Sequence, residues 1–325
     1  MSSESIVKLS DRLRFQRQRF KEMMPTIPGT AYIFLAPFFI TFVLFLAFPI
    51  FYTVYLSFFT YQGVASDPLF WVQFGNVYLE IPKIASLEFV GLANYQRLLR
   101  DSVFHQSMFN TIYVFAIELP LMVGLALGLA VVLNAGFTRF KGIFRSLMLL
   151  PVSANTVAYS VVFVVIVAEG GLLDFIFQLF GIAPLNWLGN GFWSRNLMAF
   201  MVVWRWTGYN MIIILAGLQT ISESLYEAAE IDGASRLEKF RYITIPQLKP
   251  VLLFVLVTTT IGSFKKFSEP TILIGAGAPV KETRTVVYYI YEVAFQNLQL
   301  GYGSALTVVL VGIVMSLSVI QLKWS

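Results

Sequence analysis

Residues 31–59 read AYIFLAPFFITFVLFLAFPIFYTVYLSFF, with no charged side chain from end to end. A helix crosses the hydrocarbon core of a bilayer with about 20 apolar residues, and backbone groups in lipid must be bonded within the segment. This run is therefore expected to be a transmembrane helix. Working outward from it, comparable runs follow at Ile112–Leu133, Leu147–Val167, Leu197–Leu218, Val251–Leu273 and Leu306–Leu322. The fifth is imperfect, because Lys265, Lys266 and Glu269 interrupt its outer end. No segment shows the alternation of a membrane β-barrel. Composition agrees: 57% of the 325 residues are hydrophobic and 13% charged, more apolar surface than a soluble domain could hide behind a polar shell. The expected class is all-α, a polytopic membrane helix bundle of six transmembrane helices.

Charge sets the orientation. The leading segment carries Lys8, Arg12, Arg14, Arg17, Arg19 and Lys21, and the positive-inside rule places it in the cytoplasm. It and the apolar run behind it are too long for a cleavable signal. Residues 134–146, with Arg139, Lys141 and Arg145, and residues 219–250, with Arg236, Lys239, Arg241 and Lys249, are the other basic connections. The alternate connections are poorer in Lys and Arg. The layout that follows is a basic cytoplasmic segment over 1–30, a first transmembrane helix over 31–59 and an extracytoplasmic loop over 60–107. A five-helix core over 108–322, with a cytoplasmic loop at 220–250, and a cytoplasmic terminus over 323–325 complete it. The net charge of +5 follows from this topology and calls for no nucleic-acid partner. There is no cysteine and a single histidine, His105, so neither a disulfide framework nor a metal site is expected, and His105 reads as a surface residue at the start of the second crossing. In the long outer loop, Trp71, Phe74 and Tyr78 suggest an interfacial cap or a docking surface, and Phe89–Leu99 reads as a short helix.

The loop at 220–250 carries the most local information. Ser224 precedes Glu227 by three and Ser235 precedes Glu238 by three, the spacing of two capping boxes. Gly233 between them can take the positive φ that ends one helix and turns the chain, and Pro246 is expected to block a long continuation. Two short helices with a glycine joint result. Leu225, Ala228 and Ala229 give the first a small apolar face, while Leu237 and Phe240 give the second a bulkier one. Such a pair either folds back on the bundle or inserts into a groove on a partner.

At this loop the chain resembles the permease subunits of bacterial ABC-type importers. Their cytoplasmic signature is Glu-Ala-Ala, three residues, Gly, nine residues, Ile, one residue, Leu-Pro. Glu227, Ala228, Ala229, Gly233, Ile243 and Pro246 match it in register, with Ile245 where Leu is usual. Phe89–Tyr95, Leu149–Pro151, Trp204–Gln219 and Gly301–Ala305 are also similar to family segments, and the group most resembled is the one that takes up carbohydrates. The resemblance implies a second permease, in a heterodimer, and two cytoplasmic ATPases docked on the paired loops. It also implies an extracytoplasmic solute-binding protein, a sugar-like substrate, and a bacterial inner-membrane location with both termini cytoplasmic. The six matched residues would couple to the ATPase, with Glu227 meeting a basic residue there or only capping its helix. The chain holds no Gly-x-x-x-x-Gly-Lys-Ser/Thr phosphate loop, so it is expected to be non-enzymatic and to need no cofactor. A secondary transporter or channel working without an ATPase is the competing reading, though no internal repeat supports it.

Polar residues at membrane depth are candidates for the solute path. Asn155 follows Pro151 by one turn, Arg205 and Tyr209 are four apart, and Thr259, Ser263 and Lys266 follow an i, i+4, i+7 pattern. The competing reading is pairing between helices, Glu118 with Arg205 or Glu269 with a lysine. Lys265 and Lys266 either snorkel outward or favour an anionic solute.

Overall fold

The computed structural model describes residues 29–74, 77–134 and 141–323. The basic leading segment and the ends of two loops and of the chain lie outside the described residues. The chain divides into two units, Met1–Thr53 and Val54–Ser325. By length and composition, six helical stretches can cross a membrane: Tyr32–Leu56, Ser102–Asn134, Thr156–Leu179, Gly191–Leu218, Arg236–Ser263 and Leu300–Lys323.

The first crossing contains helices α1 (Gly29–Phe42) and α2 (Phe48–Leu56), joined without a break by a π-helical turn at Val43–Ala47. That turn sits just before Pro49. A proline has no N–H and its ring clashes with the carbonyl four residues back, and widening the preceding turn relieves both. The same device recurs at Phe240–Thr244 ahead of Pro246, where the Ile245 N–H reaches the Phe240 carbonyl.

The long outer loop folds as a hairpin; the side chains of Trp71, Phe74 and Tyr78 lie outside the described residues. Strands β1 (Phe59–Phe74) and β2 (Val77–Phe89) form an antiparallel hairpin, paired from Phe59 opposite Phe89 to Phe74 opposite Val77. The short helix expected over Phe89–Leu99 begins later, as α3 (Ala93–Arg100). The second crossing is α4 (Ser102–Asn134), with His105 exposed near its start.

The third run is interrupted where sequence gave one helix. α5 (Lys141–Ser153) stops, and α6 (Thr156–Val167) starts afresh because the Asn155 Oδ1 accepts from the Val157 N–H at 2.9 Å and caps it. A tight turn leads to α7 (Leu172–Leu179). The fourth crossing, α8 (Gly191–Leu218), is the most buried and packs along α4. A Cβ on Gly208 would overlap the Met148 carbonyl, so α5 crosses α8 at backbone contact.

The loop pair begins with α9 (Glu223–Ile231). Its N-cap is Ser222, which makes no capping bond; its Oγ pairs with that of Ser224 at 2.8 Å. The first expected capping box is therefore not formed. The second is: Ser235 and Glu238 bond reciprocally at the start of α10 (Arg236–Lys239). Gly233 has φ +79°. Its N–H reaches the Glu230 carbonyl at 3.1 Å and the Ala234 N–H reaches the Ala229 carbonyl at 2.8 Å, a Schellman ending. Pro246 does not end the helix, because the π turn carries α10 straight into α11 (Ile245–Ser263). The fifth crossing thus starts and stops earlier than the run Val251–Leu273. A turn at 264–267 separates it from α12 (Ser268–Gly275), and α13 (Val280–Thr283) and α14 (Val286–Tyr291) precede the last crossing, α15 (Leu300–Lys323).

Where the outer loop meets the bundle, Asp101 draws four bonds together. Its carboxylate accepts from the hydroxyls of Tyr289 and Tyr302, each at 2.5 Å, and from the amides of Val103 and Phe104. Burial pushes this carboxyl up, but the four hydrogen bonds outweigh it and hold it below the ordinary aspartate value. Asp101→Ala is expected to lower stability by ~2–3 kcal/mol, read as a fall in the unfolding midpoint. Because the folded value is depressed, the contribution is complete above the ordinary aspartate range and is lost as pH falls through the lowered value. A midpoint unmoved by the substitution at neutral pH would remove this latch from the account.

Candidate functional site

Polar side chains from the apolar helices converge on one cavity of about 290 Å³. Its wall takes Glu118 and Met122 from α4, Thr156 from α6, and Val202, Arg205, Trp206, Tyr209 and Asn210 from α8. Thr258, Thr259, Gly262 and Ser263 come from α11, and Lys265 to Glu269 from the turn and the start of α12. Five of the six candidates, Arg205, Tyr209, Thr259, Ser263 and Lys266, thus lie on one wall. Asn155 does not, since its side chain is spent on the cap of α6.

The charges are ordered by specific partners. Lys266 Nζ lies 2.5 Å from Glu118 Oε1, and Ser263 Oγ donates to the same oxygen. Both ions are buried, Glu118 at 1% and Lys266 at 6% exposure, so Lys266 does not snorkel; Lys265 is exposed. Lys266 also reaches the Ser263 carbonyl at 3.3 Å, and its own carbonyl accepts from Thr285 at 2.8 Å. The expected pairing of Glu118 with Arg205 is replaced by this one. The helix ends at Ser263, and the turn brings Lys266 back against α4. Glu269 pairs with no lysine among the described residues. It accepts instead from the Tyr159 hydroxyl at 2.6 Å.

Arg205 is fixed by Thr156 and, at 3.0 Å, by the Ala154 carbonyl, the backbone freed at the break before α6. Its guanidinium lies 4.9 Å from the Tyr159 ring and 5.5 Å from the Trp206 ring. Tyr209 stands edge-on to Trp206, ring centres 5.6 Å apart, and is 42% exposed toward the cavity. The site therefore offers a cation, hydroxyls and aromatic faces around a polar space. Trp206 and Asn210 were missed in the sequence, although Trp206, Tyr209 and Asn210 stand at i, i+3 and i+4 of one helix face.

The six loop candidates sit elsewhere. Glu227, Ala228 and Gly233 are exposed, Ala229 and Ile243 half-buried, and Pro246 exposed. The Tyr226 hydroxyl meets Thr244 Oγ1 at 2.9 Å and Glu230 meets Lys239 at 3.5 Å, which fixes the angle between α9 and α10. Leu225, Ile231, Leu237 and Tyr242 stay exposed, Ile231 at 87%.

Comparison with known proteins identifies the family. Residues 121–323 match the family described as binding-protein-dependent transport system inner membrane component. The chain is 36% identical to the lactose transport system permease protein of Rhizobium radiobacter over 89% of its own length and 92% of the relative's. It is 33% identical to the arabinooligosaccharides transport system permease protein of Bacillus subtilis over 94% of its own length and 91% of the relative's. Among solved structures it shares its fold with a bacterial alginate ABC transporter in complex with an alginate pentasaccharide-bound periplasmic protein. There the TM-score is 0.72 at 18% identity, covering 90% of this chain and 92% of that one. A family match over more than half the chain sets aside a channel or secondary transporter: the chain belongs to the binding-protein-dependent transport system inner membrane component family, as a multi-pass permease subunit of an ATP-driven importer that is not itself an enzyme.

Proposed function

We propose that the chain forms half of the pore of a sugar importer and that the cavity beside Arg205 and Tyr209 is its half of the solute path. One observation carries this: polar groups from four apolar crossings face a common space instead of pairing off completely. Aromatic faces beside hydrogen-bonding groups suit a saccharide. At about 290 Å³ the space is small for such a ligand, in keeping with a second, similar permease completing it. The relatives' names point the same way, to lactose and arabinooligosaccharides.

In this reading an extracytoplasmic binding protein delivers the solute and two ATPases dock on the paired loops of the two permeases, one of them on the loop at 220–250 of this chain through Glu227, Ala228, Ala229, Gly233, Ile243 and Pro246. The exposed Leu225, Ile231, Leu237 and Tyr242 supply the apolar part of that contact. The protein lies in the bacterial cell membrane with residues 1–30 and 323–325 cytoplasmic and the loop over 60–107 outside. Single cysteines at Ser2 and Ser325, in a chain with no other, should resist an impermeant thiol reagent in intact cells. Labelling at either end would reverse the topology.

The test of the solute path is Tyr209→Ala in the transporter reconstituted with its ATPase, second permease and binding protein. Saccharide uptake at subsaturating solute should fall about tenfold or more, while the subunits still co-purify, since a lost hydrogen bond and aromatic contact are worth ~1–3 kcal/mol. Unchanged uptake moves the path away from this wall.

A further inference from the structure

The connection between the fifth and sixth crossings carries a row of aromatic rings that starts at the solute cavity. Phe267, in the turn after Ser263, lines that cavity. Its ring stacks on Tyr288 with centres 6.2 Å apart and meets Tyr291 edge-on at 4.9 Å, and Tyr291 meets Phe295 at 5.6 Å. Sequence spacing builds the row. Tyr288 and Tyr291 stand three apart on α14, and Phe295 follows four later in a π-helical turn at Glu292–Gln296, so the three share one face. Exposure rises along it: Phe267 and Tyr288 are half-buried, Tyr291 is 38% exposed and Phe295 65%.

The polar groups along this face are unspent. Elsewhere on the same helix the Tyr289 hydroxyl is bonded to Asp101, whereas the hydroxyls of Tyr288 and Tyr291 have no hydrogen-bond partner among the described residues. Gln296 and Asn297 are exposed next to Phe295. Over residues 286–297 the single charged side chain is Glu292, and Arg284 already neutralises it at 2.7 Å. Lipid chains would cover the rings but leave these hydroxyls and amides without partners. A sugar ring has an apolar face and a rim of hydroxyls, and it satisfies both parts of the row. The absence of unpaired charge selects a neutral one.

We propose that Tyr288, Tyr291 and Phe295 form an entry subsite for a neutral saccharide, which lands on the exposed end of the row at Phe295 and passes along it to Phe267 and the cavity. This rests on the cavity being the solute path. By the topology proposed above the row lies on the extracytoplasmic side, where the solute arrives.

The test uses the absence of cysteine from the chain. Gln296→Cys places one thiol beside Phe295 in the complex of both permeases and the ATPases in lipid vesicles, and its alkylation by an impermeant reagent is followed on this chain. Lactose and maltotriose at about 100 mM, well above the millimolar dissociation constant of a single stacked ring, should slow the reaction about tenfold by mass action. Mannitol, a polyol with no ring face, should leave the rate unchanged. Tyr291→Ala should remove the protection, and Tyr291→Phe, which keeps the ring, should retain most of it. Protection by neither sugar, or protection that Tyr291→Ala leaves intact, overturns the proposal. So does a thiol that is inert without sugar: release in detergent would show lipid on the row, and release on removing the second permease would show that subunit there. Protection is read without uptake, so its failure is distinguishable from failure of the solute-path reading at Tyr209.

Discussion

Replacing Lys266 with methionine is expected to destabilise the protein by about 3–5 kcal/mol, because it strands the Glu118 carboxylate in the bundle interior. The pair sits at 2.5 Å with Glu118 1% exposed, and Glu118 Oε2 has no further partner among the described residues. Adding Glu118→Gln should restore most of the loss, since a neutral amide can still accept from Ser263 and no charge remains to be desolvated. The measurement is the unfolding midpoint of the two single variants and the double variant in detergent, read as a double-mutant cycle. Equal, additive losses would mean that the two side chains do not depend on each other, and that the ion pair carries no coupling.

The second large effect belongs to the loop. Gly233 holds φ +79° with nothing within 4 Å of the position a Cβ would take, so the penalty for a side chain is backbone strain and not a clash. That strain is about 1–2 kcal/mol for an ordinary residue and smaller for asparagine, which tolerates the left-handed region. The Schellman ending would relax, and α9 would tilt relative to α10. In a series at this position, Gly233→Asn should keep most ATP-driven uptake, Gly233→Ala lose part of it, and Gly233→Leu abolish uptake and ATPase capture while the crossings still insert. Pull-down of the ATPase with solute-stimulated hydrolysis in reconstituted membranes checks the order. If leucine performs like glycine, the loop is a capped turn with no coupling role.

The six crossings were legible because hydrophobic length is written along the chain, and Gly233 because one residue type answers one backbone need. What was not legible depended on residues far apart in sequence. Lys266 read as an interruption of an apolar run, and only Glu118, brought beside it by the turn after Ser263, explains its place inside the bundle. Asn155 read as a polar group at membrane depth, when its own backbone two residues on had already claimed it. Ser224 had the spacing of a cap, but Ser222 stands at the cap position, one of two closely spaced hydroxyls that sequence alone does not rank. The hairpin between Phe59 and Phe89 gave no clear period, with Pro68 and Pro82 interrupting both strands.

The helical passage through the π turn at Phe240–Thr244 has a mechanical consequence. Arg236–Ser263 is a single 28-residue rod, about 42 Å long. Leu248, fully buried, is its natural fulcrum. Leu237 lies eleven residues to one side of it and Ser263 fifteen to the other, lever arms of about 17 and 22 Å. As a rigid beam, a sideways push of about 2 Å at Leu237 would swing Ser263 nearly 3 Å the opposite way, enough to part its hydroxyl from Glu118. Force applied at the loop would then arrive at the cavity wall as displacement, in the reverse direction and slightly magnified, less whatever bending the π turn and Pro250 take up.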